Sequence, residues 1–89
     1  EMCKETGIVI EYDKDLHEVT VEQRNYFKPG DVVEFFGPNK EAISFTIPLI
    51  YDEDGNSLEV ARHPRQIVKF KCDIPLNKMD MMRLKVFDI

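Results

Sequence analysis

The stretch NYFKPGDVVEFFGPNKEAISFTI, Asn25 to Ile47, sets two adjacent phenylalanines between KPGD and GPNK. Three readings compete for it: a phosphate-cradling loop, a catalytic turn, or a corner of a small β-structure. A phosphate loop needs glycines that open onto a helix, whose free N–H groups face the anion. Here the residues after Lys28-Pro29-Gly30-Asp31 alternate in period two, with Val33 and Phe35 opposing Val32, Glu34 and Phe36. A strand follows, and its N–H groups enter a ladder. Pro29 fixes φ and lacks an N–H, while Gly30 tolerates φ > 0, which suits the two central positions of a type II turn. Lys28–Asp31 is therefore expected to set register, and Val32–Phe36 to form a wall of the core.

The alternation extends outward in both directions. Upstream, Thr6–Tyr12 reads as a strand with Ile8, Ile10 and Tyr12 on one face. An Asp-rich connection then leads to a second strand with Val19 and Val21 facing inward, the pattern of an antiparallel hairpin. Downstream, Ile43, Phe45, Ile47 and Leu49 alternate with Ser44, Thr46 and Pro48. Pro48 cannot donate to a ladder, so this strand lies at an edge or bends there. Asp54-Gly55 predicts a hairpin turn before a short strand near Leu58–Ala61. The clearest strand follows, with Val68, Phe70, Cys72 and Ile74 inward. The last one places Met82, Leu84 and Val86 against Arg83 and Lys85. No helical period is sustained. Six or seven short strands predict an all-β, antiparallel fold, and closure into a small barrel would best hide the edges.

The bulk properties bound the function. Eighty-nine residues make one domain, spanning 1–89. Seventeen acidic against 12 basic side chains give a net charge of −5. Such a chain is a poor autonomous nucleic-acid binder, because non-specific affinity comes mainly from Lys and Arg neutralising phosphates. Cys3 and Cys72 are too few for a disulfide framework, and Cys72 sits in a core pattern. No apolar run approaches the roughly 20 residues that cross a bilayer, and no leader pattern opens the chain. A cytoplasmic protein without membrane contact is expected. EMCKETGIVI enters a strand almost at once and KVFDI stops abruptly, so an excised domain is expected.

Chemistry-bearing motifs are scarce. DEDGNSLE spaces Asp52, Asp54 and Asn56 two apart, but an EF-hand loop needs Gly at its sixth position and Glu at its twelfth. Ser57 and His63 stand there. His17 and His63 are the only histidines, and Ser44 and Ser57 the only serines, neither in a G-x-S-x-G elbow. No catalytic, metal-ligating or cofactor-binding residue is expected, nor any cofactor. ARHPRQ is the exception to this blandness. Arg62, His63 and Arg65 surround Pro64, and Arg24, Lys69 and Lys71 join them if the neighbouring strands are adjacent. The patch reads either as a solvated loop beside a polar strand face or as a docking surface for RNA or an acidic protein.

TVEQRNYFKPGDVVEFFGP, IYDEDGNSLEVARHPRQIVKFK and MDMMR together resemble the C-terminal domain of the collagenase-like peptidases of unassigned catalytic type, peptidase family U32, from about Gly7 to Arg83. KPGDVVEF is more loosely similar to the barrel corners of translation-factor second domains, an analogy of fold alone. The family resemblance implies an accessory β-barrel appended to a larger bacterial enzyme of the cytoplasm. Members are described as peptidases, some as collagenases, and relatives take part in tRNA wobble-uridine hydroxylation. The family's catalytic portion precedes this domain, so no catalytic residue carries over and this chain alone is not expected to be an enzyme. The implied partners are the catalytic domain of the parent chain and either a protein substrate or tRNA. Two functions follow: an accessory domain aiding substrate recognition or assembly in a peptidase-family protein, or an RNA-facing module of a tRNA-modifying enzyme.

Overall fold

A computed structural model describes residues 2–38, 40–61 and 63–86, and the side chains of 5–38, 41–61 and 63–84. Eight strands follow one another: β1 (Met2–Asp13), β2 (Glu18–Gln23), β3 (Val32–Gly37), β4 (Lys40–Thr46), β5 (Ile50–Tyr51), β6 (Ser57–Leu58), β7 (Ile67–Lys71) and β8 (Met81–Val86). They form one antiparallel sheet in the order β4-β3-β8-β1-β2-β7-β5-β6. Among the described residues no helix is long and apolar enough to cross a membrane.

The all-β antiparallel expectation holds, but the expected barrel does not match the ladder. The sheet order leaves β4 and β6 as edges that do not pair with each other. The sheet curls instead, so that β4 faces β7 through side chains. Phe45 of β4 stacks on Phe70 of β7 with ring centroids 6.0 Å apart, and Phe35 of β3 lies 5.8 Å and 6.5 Å from the two. Aromatic packing, rather than hydrogen bonds, draws the sides together. A groove of about 240 Å³ lined by Phe45, Thr46, Pro48, Lys71, Cys72 and Asp73 marks the open seam. Pro48 is the local reason. It follows the end of edge strand β4, the expected position, and splits the anticipated Glu41–Tyr51 strand into β4 and β5, which raises the count to eight.

The inner face is apolar and continuous. Val9, Val19, Val21, Phe27, Val33, Phe35, Val68, Phe70 and Met82 are all fully buried. The expected inward sets of β2, β3 and β7 are observed, with Ile74 only partly buried. Three details differ. Val9 faces the core, while Ile8 and Ile10 are half-exposed on the outer face. A register shift between Val9 and Glu11 then returns Tyr12 to the core side, where its hydroxyl donates to the Cys72 carbonyl at 2.8 Å. On β4, Ile43 is exposed because an edge strand has no neighbour to cover it, and Leu49 is exposed beyond Pro48. The short strand expected near Leu58–Ala61 is β6 at Ser57–Leu58, and Ala61 forms an isolated bridge with Phe27 instead. Gly7 marks a close approach of β1 and β2, since a Cβ there would strike Val21 Cγ1 and crowd the Glu22 carbonyl.

Three strands are entered by the same four-residue turn. In Lys28–Asp31, His63–Gln66 and Asn77–Asp80, the fourth N–H donates to the first carbonyl at 3.2, 3.1 and 3.0 Å. The third N–H donates to a neighbouring strand or loop, at Ile47, Gln23 and Val9 respectively, each at 2.8 Å. That same partner residue donates its own N–H back to the fourth carbonyl, at 2.9, 2.8 and 2.8 Å. Each turn thus clamps its strand in register before the ladder begins. The third residue is left-handed in all three, with φ of 93° at Gly30, 62° at Arg65 and 76° at Met79.

A candidate partner-docking surface

The basic loop sits where β7 enters the sheet beside the end of β2. Pro64 occupies the second position of the His63–Gln66 turn and Arg65 the left-handed third. The loop is anchored on both sides. Ala61 exchanges backbone hydrogen bonds with the buried Phe27 at 3.2 and 2.8 Å, and its carbonyl also accepts from Gln23 Nε2 at 2.8 Å. Arg65 N–H donates to the Gln23 carbonyl, which places the turn one residue from Arg24. Arg24 is itself held by its N–H on the Thr6 carbonyl at 2.7 Å. His63 and Arg65 are exposed, and Arg24 pairs with Glu22 at 3.0 Å through one guanidinium nitrogen. Arg62 lies outside the described residues.

A left-handed Arg is a marked choice. Non-glycine residues pay about 1–2 kcal/mol of backbone strain there, and Gly30 shows the residue type that avoids it. Strain of this kind persists where surrounding structure over-determines it and is concentrated at functional sites. The clamp to Gln23 provides the over-determination, and the exposed guanidinium supplies a fork of donors for carboxylate or phosphate.

The two lysines stand apart from this group. Lys69 faces outward from β7 in register with Thr20 of β2 and Tyr51 of β5. Lys71 is opposite Glu18, at the far end of β2, and its Nζ donates to the Leu16 carbonyl at 3.1 Å. Six residues of β2 separate Arg24 from Glu18, about 20 Å at ~3.3 Å per residue. Arg24 therefore lies along the backbone beside the turn that carries His63 and Arg65, Lys69 is farther along β7, and Lys71 is at the β1–β2 hairpin end. Glu18 and Glu22 interleave with the cations on this outer face.

Other sites weighed from the sequence have structural roles. Asp52 Oδ1 accepts the N–H groups of Asp54 and Asn56, both at 2.9 Å, and Gly55 takes φ of 88°. These bonds hold the Asp52 carboxyl below the usual aspartate range. The carboxylates that suggested calcium thus close a hairpin. Among the described residues no group of three or more His, Cys, Asp or Glu is arranged to hold a metal ion. Burial pushes the Cys72 thiol up, away from the thiolate form a nucleophile needs. The sequence reading passed over Lys78 and Met79, whose turn NKMD repeats the spacing of KPGD ahead of an apolar strand. That echo was the available signal.

Comparison with known proteins agrees with this architecture. The family model for the peptidase family U32 C-terminal domain matches residues 3–83. A crystal structure of the C-terminal domain of a U32-family protein from Geobacillus thermoleovorans superposes with a TM-score of 0.89 at 52% identity, covering 93% of each chain. A selenomethionine variant of such a domain from the same organism gives 0.86 at 54% identity, covering 90% of this chain and 98% of that one. Among curated proteins, tRNA hydroxylation protein P1 of Bacillus subtilis (strain 168) is 57% identical over 77 residues. This chain spans 86% of its own length in that match but only 18% of the relative's. On these matches, the chain belongs to the peptidase family U32 C-terminal domain family.

Proposed function

We propose that this chain is a non-catalytic accessory domain that presents RNA to the tRNA-modifying machinery of a larger U32-family protein in the cytoplasm. The observation that carries the reading is the 57% identity with a tRNA hydroxylation protein over nearly the whole chain. The backbone adjacency of Arg24 to the turn carrying the exposed His63 and Arg65 supports it, with Lys69 next along β7. A surface with net charge of −5 over the whole chain binds RNA only where its cations gather. The partners are tRNA and the catalytic domain of the parent chain, and the chemistry belongs to the latter. A role in protein-substrate recognition is the competing reading, drawn from the family's description as peptidases.

A related C-terminal domain crystallised on its own, and this chain covers 93% of it. The isolated domain is therefore a suitable reagent. Filter binding to unmodified tRNA and to denatured collagen, each over a salt series, separates the readings. Retention of tRNA that falls steeply with salt, without retention of collagen, is expected. Retention of collagen alone overturns the proposal in favour of protein recognition.

A further inference from the structure

The outer face of the sheet carries a second feature that the basic corner does not absorb. Four ladders align Phe36, Met81, Ile8, Glu22 and Ile67 in one transverse row across β3, β8, β1, β2 and β7. Every one of them is half-buried, so an apolar stripe interrupted by a single carboxylate crosses five strands on the solvent side. The stripe deepens over β1. Ile8 and Ile10 flank Val9 at the register shift, and Lys78 and Met79 of the Asn77–Asp80 turn stand over them. The resulting groove, about 140 Å³, is completed by Glu22 and Arg24.

Two properties of this groove bear on its occupant. Its lining is mostly apolar (Ile8, Val9, Ile10 and Met79), with two cations, Lys78 from the turn before β8 and Arg24 from the end of β2, beside the one carboxylate of Glu22. Glu22 engages one nitrogen of Arg24, and a guanidinium has five N–H donors in all, so donors remain for an anion. Met79, meanwhile, is 64% exposed in a left-handed conformation that glycine would adopt without strain. A thioether held out at such a position offers a polarisable contact for an aromatic ring. An apolar lining with two cations matches a polymer that alternates a planar ring with a phosphate.

We infer that the groove over Ile8 and Ile10 seats an unpaired base of single-stranded RNA, with Met79 against the base and Arg24 and Lys78 on the flanking phosphates. The inference rests on the RNA-facing reading proposed above and locates its contact. Arg24 joins the groove to the His63–Gln66 corner, so one strand of RNA running from the groove to Arg65 is continuous with both. Duplex RNA, whose bases are stacked and paired, does not fill the groove.

The test is fluorescence anisotropy of the isolated domain with a labelled eight-nucleotide single-stranded RNA, the matching duplex and poly-glutamate. Lys78→Ala and Met79→Gly are the variants, since the first is exposed and the second relieves backbone strain; thermal midpoints no lower than the parent's verify their folds. Lys78→Ala is expected to weaken single-strand binding severalfold. It should also lower the slope of log affinity against log salt by about 0.7, the value for one phosphate contact on a single strand. Met79→Gly is expected to weaken binding severalfold with the salt slope unchanged, because it removes an apolar contact. If the domain binds the single strand but neither variant alters affinity, the groove is not the site, although the RNA-facing reading survives. If the domain binds neither RNA, both fall. Equal binding of duplex and single strand, or tighter binding of poly-glutamate lost in the same variants, also overturns the inference, the latter assigning the groove to an acidic protein.

Discussion

The turns at Lys28–Asp31 and His63–Gln66 share a backbone and diverge in what they expose. Both have proline second and a left-handed third residue, and both clamp to a neighbour through reciprocal hydrogen bonds. In the first, Gly30 takes the left-handed position with open space around it. Asp31 then folds back on Lys28, accepting its N–H at 3.0 Å and its Nζ at 2.7 Å. The charged side chains of that turn are spent on the turn itself. In the second, Arg65 holds the strained position and its side chain points to solvent. Equal backbones with unequal residues separate what the fold requires from what it merely tolerates.

The largest test of the equivalence lies downstream of the turns. Phe35 and Phe70 each stand four residues past their turn's last residue, fully buried and 6.5 Å apart. Truncating either to Ala is expected to cost roughly 3–5 kcal/mol in denaturant unfolding. The double variant should cost less than the sum, since the rings share a contact. A strictly additive double variant would mean that the two halves of the curled sheet do not couple through these rings.

Next come the third positions themselves. Gly30→Ala is expected to destabilise by about 1–2 kcal/mol, the left-handed penalty of a Cβ. Arg65→Gly removes that penalty but loosens the unfolded chain by about 0.4–1 kcal/mol. It should therefore leave stability unchanged or raise it by up to about 1.6 kcal/mol, while weakening tRNA retention. A stability loss would show that Arg65 is structural and would remove the reason for reading its strain as functional.

The smallest effects are titrations, and they set the first turn against the Asp52 hairpin. Its hydrogen bond and charge contact with Asp31 raise the Lys28 pKa. That contribution is fully present below the unfolded lysine value and is lost as pH rises through the higher folded one, above about pH 10.4. The Asn56 N–H, above all, lowers the Asp52 pKa. Its contribution is present above the unfolded value and fades as pH falls through the lower folded one, under about pH 3.9. Amide resonances of Gly55 and Asn56 should therefore shift in acid, and the Lys28 side-chain Cε resonance in strong base. A Gly55 shift centred above about pH 4 would contradict the Asp52 assignment.

The strands whose two faces differ in polarity were legible from sequence. Val19, Val21 and Phe70 stand between polar or charged neighbours, Val33, Phe35 and Val68 have a charged neighbour on one side, and all six are core. Strand β1 defeated the same rule because GIVIEY is apolar on both faces up to Glu11, and a register shift reverses its phase. The closed barrel was over-read: alternation identifies a strand's buried face but says nothing of whether the outer strands pair. Of the candidate site, the local cluster ARHPRQ was visible in the sequence, and the Arg65 N–H bond to the Gln23 carbonyl brings its turn beside Arg24. The separation of Lys71 was not visible, because register along β2 and β7 sets it. Nor was Met79, whose left-handed turn lacks the glycine that would have announced it.

The position of β8 has a consequence in time. The last of the described strands is not at an edge; it lies between β3 and β1, pairing with both. Until it arrives, β3-β4 and β1-β2-β7-β5-β6 are two separate ribbons with no ladder between them. A ribosome that has released everything up to Asp80 therefore holds a chain whose Phe35 and Phe70 cannot yet be locked against each other. Assembly waits for β8, and a nascent chain stalled within Met81–Val86 offers two open edges to chaperones or to other chains. In this fold the emergence of β8 is the step that joins the two ribbons into one domain.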